Sequence, residues 1–154
     1  MLFNPAATKL QSGYGERTAA TAKATLRRVG LRPTRQRLAI ARLLFGDGHR
    51  HVTPDMLHAE TLAQGETLSV ATVYNTLNQF AEAGLVRKIN LHGDRTYFDT
   101  NTGDHAHFHV AGEDRIIDIP SEIVSIGPLP APPPGYKIRT VDILIQLERD
   151  KRGN

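Results

Sequence analysis

Ser69-Val-Ala-Thr-Val-Tyr-Asn-Thr-Leu-Asn-Gln-Phe80 is the stretch whose reading decides the fold. Val70, Val73, Leu77 and Phe80 recur at intervals of three and four, the spacing of one helical face. Ser69 stands where an N-cap belongs, and Gly84 follows as a stop, so a helix is expected from Val70 to about Ala83. Its other face carries Thr72, Asn75, Asn78 and Gln79, with Tyr74 to one side. Such a helix has an apolar stripe to fix its pose and a row of short hydrogen-bonding groups left open.

The flanking segments extend the pattern. Upstream, Thr53-Pro54-Asp55 supplies a cap, a proline at the first helical position and an acid in the first turn, opening a helix to about Gln64 before Gly65. Before that, Thr34 caps a helix to Phe45, with Leu38, Ala41, Leu44 and Phe45 on one face. A first helix is expected from Thr18 to Val29, with Lys23, Arg27 and Arg28 near its end, where cations suit the helix dipole. Downstream, Val86 to Leu91 and Arg95 to Phe98 read as strands joined by a His92-Gly93-Asp94 turn. Helix, turn, helix and β-hairpin in that order make a winged helix-turn-helix, placed at residues 18–98.

Charge agrees with that assignment. Residues 1–98 hold 13 Lys/Arg against 7 Asp/Glu, whereas residues 99–154 hold 6 against 9. A basic first part suits a polyanion such as double-stranded DNA. Asn75 and Asn78 carry amides able to bond adenine edges, and Thr72 and Tyr74 can reach phosphate or a thymine methyl. Ser69 lies at the helix N-terminus, where a phosphate is favoured. Arg87, Lys88 and Arg95 on the wing are candidate phosphate or minor-groove contacts. No apolar run approaches the ~20 residues of a membrane helix. The first 17 residues lack a secretory pattern and read as a disordered tail, so a cytoplasmic location is expected.

The remainder, residues 99–150, reads as a second, smaller domain. His105 to Val110, Arg115 to Ile119 and Tyr136 to Leu147 have strand character. Pro128 to Pro134 contains five prolines and can be neither helix nor central strand. Three such strands are marginal alone, and a homodimer would complete them. Within this part, Asp104-His105-Ala106-His107-Phe108-His109 is the second informative stretch. Alternate residues of a strand share a face roughly 7 Å apart, so His105, His107 and His109 project together. Imidazoles are ligands for Zn, Fe, Ni, Cu or haem iron. Asp99, Asp104 and Asp118 are the acids near enough to complete a site, and spacing does not choose among them. The chain has no cysteine, which excludes disulfides and thiolate metal sites.

Leu31-Arg-Pro-Thr-Arg-Gln-Arg37, Ser69 to Leu77, Gly84-Leu-Val86 and the His-rich strand together resemble the Fur (ferric uptake regulator) family, over about residues 20–148. The resemblance implies an α+β fold: an N-terminal winged helix-turn-helix domain plus a small C-terminal α/β dimerisation domain. It implies a homodimeric repressor of operator DNA, not an enzyme. Tyr74 matches the family's base-contacting tyrosine, and Arg27 falls at a basic position that reaches the minor groove. Asn75 replaces a common arginine. The resemblance places the regulatory metal ligands, bridging the domains, at His51, Asp99, His105, His107 and Asp118. The CxxC positions of the structural zinc site are Val110 and Glu113 here, and a further histidine position is Val141. These departures, with Ile-Asp-Ile-Pro at 117–120 and the proline run, resemble the Irr (iron response regulator) branch. That branch implies haem held by His105, His107 and His109, and control of haem-synthesis and iron-homeostasis genes.

The expectation is therefore an iron- or haem-responsive repressor whose operator binding is relieved by haem or metal status. The alternative within the family senses free Fe, Mn or Zn. Outside it, a metallohydrolase would need a nucleophile or a helix-borne His-Glu motif. A metal or haem carrier without operator binding would show DNA affinity that collapses with salt.

Overall fold

The computed structural model describes residues 21–91, 93, 95–113 and 115–151. The expected N-terminal tail, the start of the first helix, and His92 and Asp94 of the turn lie outside them. The chain divides into two compact units between Thr102 and Gly103.

The first unit holds helix α1 through residues 21–28, α2 (Arg35–Phe45), α3 (Pro54–Ala63) and α4 (Val70–Glu82). Each expected cap is formed. Thr34 accepts from the Arg37 amide at 3.3 Å, Thr53 from Met56 at 3.2 Å and Ser69 from Thr72 at 3.1 Å. Gly84, at φ 78°, lets the chain leave α4 in the left-handed region. That turn brings the Leu85 amide onto the Phe80 carbonyl at 2.8 Å. Leu26, Ile40, Leu44, Leu57, Val73, Leu77 and Phe80 are fully buried together. The stripe of α4 differs from expectation in one residue. Val70 is 41% exposed because it sits in the first turn, beyond the packed face, while Thr76 is buried. Thr76 tolerates burial because its hydroxyl donates to the Thr72 carbonyl at 2.8 Å.

Three strands close this unit in the order β1-β3-β2: β1 (His51–Val52), β2 (Arg87–Asn90) and β3 (Thr96–Asp99), all antiparallel. Val52 and Phe98 pair across β1 and β3 and reach the helical core, so the opposite partners, His51 and Asp99, share the other face. The unit is a winged helix-turn-helix.

The second unit is a sheet of order β5-β4-β6, made of β4 (Ala106–Val110), β5 (Arg115–Ile119) and β6 (Leu144–Leu147). β4 and β5 form a hairpin, while β6 runs parallel to β4. A parallel pair needs a long crossover, commonly helical. Here residues 120–143 supply it as turns and extended chain, because prolines from 128 to 134 lack amide donors. The strand expected over Tyr136–Leu147 is thus reduced to its last four residues. β4 is only five residues long, so the chain before Ile143 has no ladder to join.

Candidate metal ligands and nucleic-acid face

In the second unit, His105 and His107 approach from adjacent positions of one face, their ring centroids 4.3 Å apart. Asp118 stands opposite His107 in the β4–β5 ladder. Its Oδ1 lies 3.1 Å from His105 Nε2 and 3.3 Å from His107 Nε2. Within this unit Asp118 meets both histidines, and Asp104 is exposed. The Nδ1 of His105 lies 2.7 Å from the Gly103 carbonyl oxygen. A carbonyl only accepts, so Nδ1 carries the proton and donates it. Nε2 is then left to present its lone pair unless the ring is an imidazolium. His107 can donate to Asp118 from a neutral ring, but the His105 Nε2, with Nδ1–H committed to Gly103, faces that carboxylate oxygen favourably only with a proton or a cation between them. This donor set fits a divalent ion, with the Gly103 carbonyl orienting a ligand from behind.

His109 continues the ladder. Its Nδ1 is buried with no hydrogen-bond partner among the described residues. A cleft of about 400 Å³ opens beside His105, lined by apolar Ala106, Val124, Ile126, Leu129, Val141 and Ile143 and by polar Asp104, Ser121, Arg139 and Thr140.

In the first unit, His51 and Asp99 are opposed in the β1–β3 ladder, with Nε2 and Oδ2 3.2 Å apart. Asp99 is fully buried, and its Oδ1 accepts from the Asn101 amide at 2.8 Å. This pair is a second N/O donor set of the kind that holds Zn, Mn or Fe(II).

The open face of α4 presents Tyr74, 39% exposed, with exposed Asn75 and Gln79 and half-buried Thr72 and Asn78. Ser69 and Thr72 hydroxyls meet at 2.9 Å in the cap. Arg27 is exposed on α1. Two contacts on this face carry no local sequence signal. Arg37 on α2 donates through Nε and Nη2 to Gln79 Oε1, at 3.2 and 3.0 Å. Lys88 on β2 donates to Asn78 Oδ1 at 3.2 Å. The Tyr74 phenol is held below its ordinary pKa, first by a hydrogen bond from Asn78, then by the charge of Lys88 and a hydrogen bond from it.

A winged helix followed by a β-unit with a His/Asp donor set defines the class of the fold, an α+β chain built on a winged helix-turn-helix. The model of the ferric uptake regulator family matches residues 28–145, and the chain belongs to that family. It is 38% identical over 85 residues to the ferric uptake regulation protein of Shigella flexneri, covering 55% of this chain and 57% of that one. It is 37% identical over 97 residues to the peroxide-responsive repressor PerR of Staphylococcus aureus, covering 62% and 64%. The matched stretch is thus under two thirds of the length of these curated relatives. Among solved structures, the ferric uptake regulator from Pseudomonas aeruginosa with manganese is similar at TM-score 0.63 and 25% identity, covering 84% of this chain and 98% of that one. The Francisella tularensis regulator with iron gives TM-score 0.60 and 26% identity, covering 78% and 92%.

Proposed function

We propose that the chain is a homodimeric, DNA-binding transcription regulator, mainly a repressor, whose operator affinity is set by a divalent metal. The observation that carries this reading is the convergence of His105 Nε2 and His107 Nε2 on one oxygen of Asp118. Family membership supports it, since relatives are named as iron-uptake and peroxide-responsive regulators and similar structures hold manganese or iron. Arg27, Ser69, Thr72, Tyr74, Asn75 and Asn78 form the proposed nucleic-acid face. His105, His107 and Asp118 are the proposed regulatory ligands of the second unit, and His51 and Asp99 those of the first. A divalent ion, when bound, would supply positive charge beside each of these donor sets. The residues themselves hold the geometry: Gly103 orients His105, and the ladder opposes His107 to Asp118 and His51 to Asp99.

Dimerisation is supported by one face of the second sheet. Phe108, Val110, Ile117, Ile145 and Leu147 fall together by register, and none is fully buried. An apolar face of this kind suits a second copy. No helix among the described residues is long and apolar enough to cross a membrane. A cytoplasmic site of action and the absence of a catalytic role complete the reading.

The test is an operator selected from random duplexes, followed by fluorescence anisotropy at fixed salt while Mn(II), Zn(II) or anaerobic Fe(II) is titrated. Affinity should change at least tenfold with metal. Unchanged affinity at saturating metal would overturn the metal switch.

The second reading is the haem-responsive, Irr-like one. It is favoured by the mixed cleft that His105 and Arg139 both line beside six apolar residues, and by the unsatisfied Nδ1 of His109. Such a cleft suits an apolar ring bearing carboxylates, with His105, His107 and His109 as candidate ligands. Absorption spectra with haem, on wild type and the His105/His107/His109 triple alanine variant, test it. An identical Soret band in both removes haem from the site.

A further inference from the structure

Two arginines stand in the first turn of α2, where the helix dipole disfavours a cation and no acid is present. They have different partners. Arg35 has Glu66 beside it, Nε to Oε2 at 3.4 Å. Among the described residues, the Arg37 guanidinium bonds two neutral oxygens and no carboxylate. Its Nε and Nη2 donate to Gln79 Oε1 on α4 at 3.2 and 3.0 Å, and its Nη1 donates to the Arg32 carbonyl at 3.0 Å. The Arg37 amide is itself held by the Thr34 cap, so backbone and side chain are both fixed from within the protein.

A guanidinium only donates, so the oxygen end of the Gln79 amide is the end that faces it. Two N–H groups occupy the two lone pairs of that oxygen. What Gln79 has left is its NH₂ group, on an exposed side chain one turn beyond Asn75. Arg37, half-buried, keeps one N–H on each Nη nitrogen and its full positive charge. The pair therefore offers donors, a charge and no acceptor, which is the chemistry of an oxyanion site. It is not that of a base edge. An amide reads adenine by giving one hydrogen bond and accepting another, and here the accepting end is occupied. Gln79 is also the tenth of the 13 residues of α4, whereas a recognition helix brings its N-terminal residues to the bases.

We propose that Arg37 and Gln79 form a clamp for one phosphate of the DNA backbone, Arg37 supplying the charge and Gln79 a donor held in a fixed direction. This rests on the reading of α4 as a DNA-recognition helix. The clamp fixes the pose of α4 on the duplex and carries no base preference of its own.

The experiment uses full-length protein and its selected duplex, with anisotropy over a salt series, for Arg37→Met, Gln79→Glu and Gln79→Ala. Gln79→Glu is nearly isosteric, and its carboxylate can take the same two N–H groups, so the pose of Arg37 is kept. The outward donor becomes an acceptor and the charge is neutralised. Its unfolding midpoint should equal or exceed wild type. Its affinity, and that of Arg37→Met, should fall at least about tenfold. The slope of affinity against salt should be shallower by about 0.9 in both, the share of one phosphate. Gln79→Ala should weaken binding to all sequences alike, leaving the base preferences of a reselected pool unchanged. Neutral methylphosphonate linkages, introduced one at a time, should include one that weakens wild type and leaves Arg37→Met unaffected. A Gln79→Glu protein that folds and binds like wild type overturns the clamp. So does an altered base preference in Gln79→Ala, which marks base readout. So does a methylphosphonate series in which Arg37→Met loses affinity at every linkage where wild type does, which marks Arg37 as structural only. Should Arg37→Met fail to fold, Gln79→Glu on the same series decides the point. If wild type binds no duplex at any salt, the DNA reading and the clamp fall together; if wild type and Gln79→Glu bind alike, the clamp alone falls.

Discussion

Ser69 separates what α4 needs in order to fold from what its proposed contact with DNA needs. Its side chain accepts the Thr72 amide at 3.1 Å and meets the Thr72 hydroxyl at 2.9 Å, and the residue is exposed. Ser69→Ala removes the cap, which costs about 1 kcal/mol. For a unit of this size that lowers the unfolding midpoint by roughly 4–8 °C. Ser69→Asp restores a capping oxygen and adds a negative charge at the positive end of the helix dipole, worth about 0.3–1 kcal/mol. Its stability should therefore equal or exceed wild type. Binding should go the other way. If the N-terminus of α4 faces a phosphate, the new carboxylate meets like charge, about 1 kcal/mol at ~4 Å in water, or roughly fivefold in affinity. The deficit should shrink as salt rises. Differential scanning fluorimetry and anisotropy on the selected duplex read both effects. A Ser69→Asp protein that is stable and binds like wild type would refute the placement of phosphate at this helix end. A Ser69→Ala protein of unchanged midpoint would refute the cap energetics.

Three further outcomes are expected. Asp118→Asn removes the charge shared by His105 and His107, so calorimetric affinity for Mn(II) or Zn(II) should fall at least about 100-fold, beyond the loss of a merely orienting group; an unchanged isotherm places the ion elsewhere. Tyr97 is fully buried, and its hydroxyl has no hydrogen-bond partner among the described residues. Tyr97→Phe should therefore leave the unfolding midpoint unchanged or raise it, and a clear drop would show that the hydroxyl is satisfied in solution. Glu60 holds Arg50 through two hydrogen bonds while Arg50 also donates to the Leu43 carbonyl at 3.0 Å. Both side chains are about one third exposed, so Glu60→Ala should cost only about 1 kcal/mol in denaturant unfolding, and a loss several times larger would mark a buried network instead.

The parts of this fold that sequence discloses are those fixed within a few residues. Thr34, Thr53 and Ser69 each bond an amide three positions on, so the three caps and their helices are legible from local pattern. Apart from Val70, the departures are non-local. β1 is two residues long and exists only because β3, more than forty positions away, pairs with it. β6 stops short because its length is set by β4 and not by its own alternation. Asp99, Asp104 and Asp118 look equivalent along the chain, and the register that opposes His107 to Asp118 chooses one of them for the ladder.

Lys88 shows the same limit in its sharpest form. On sequence it is one of three wing cations, with Arg87 and Arg95, and nothing local distinguishes it. Adjacent strand residues point to opposite faces, so Arg87 and Lys88 must part. Which one turns inward depends on pairing: Lys88 stands opposite Phe98, whose ring is in the core, and Arg87 opposite Asp99. A slip of one residue would exchange them, placing Arg87 against Tyr74 and Lys88 beside a proposed metal ligand. The register of one four-residue strand therefore decides which cation faces α4 and which lies on the side of His51 and Asp99.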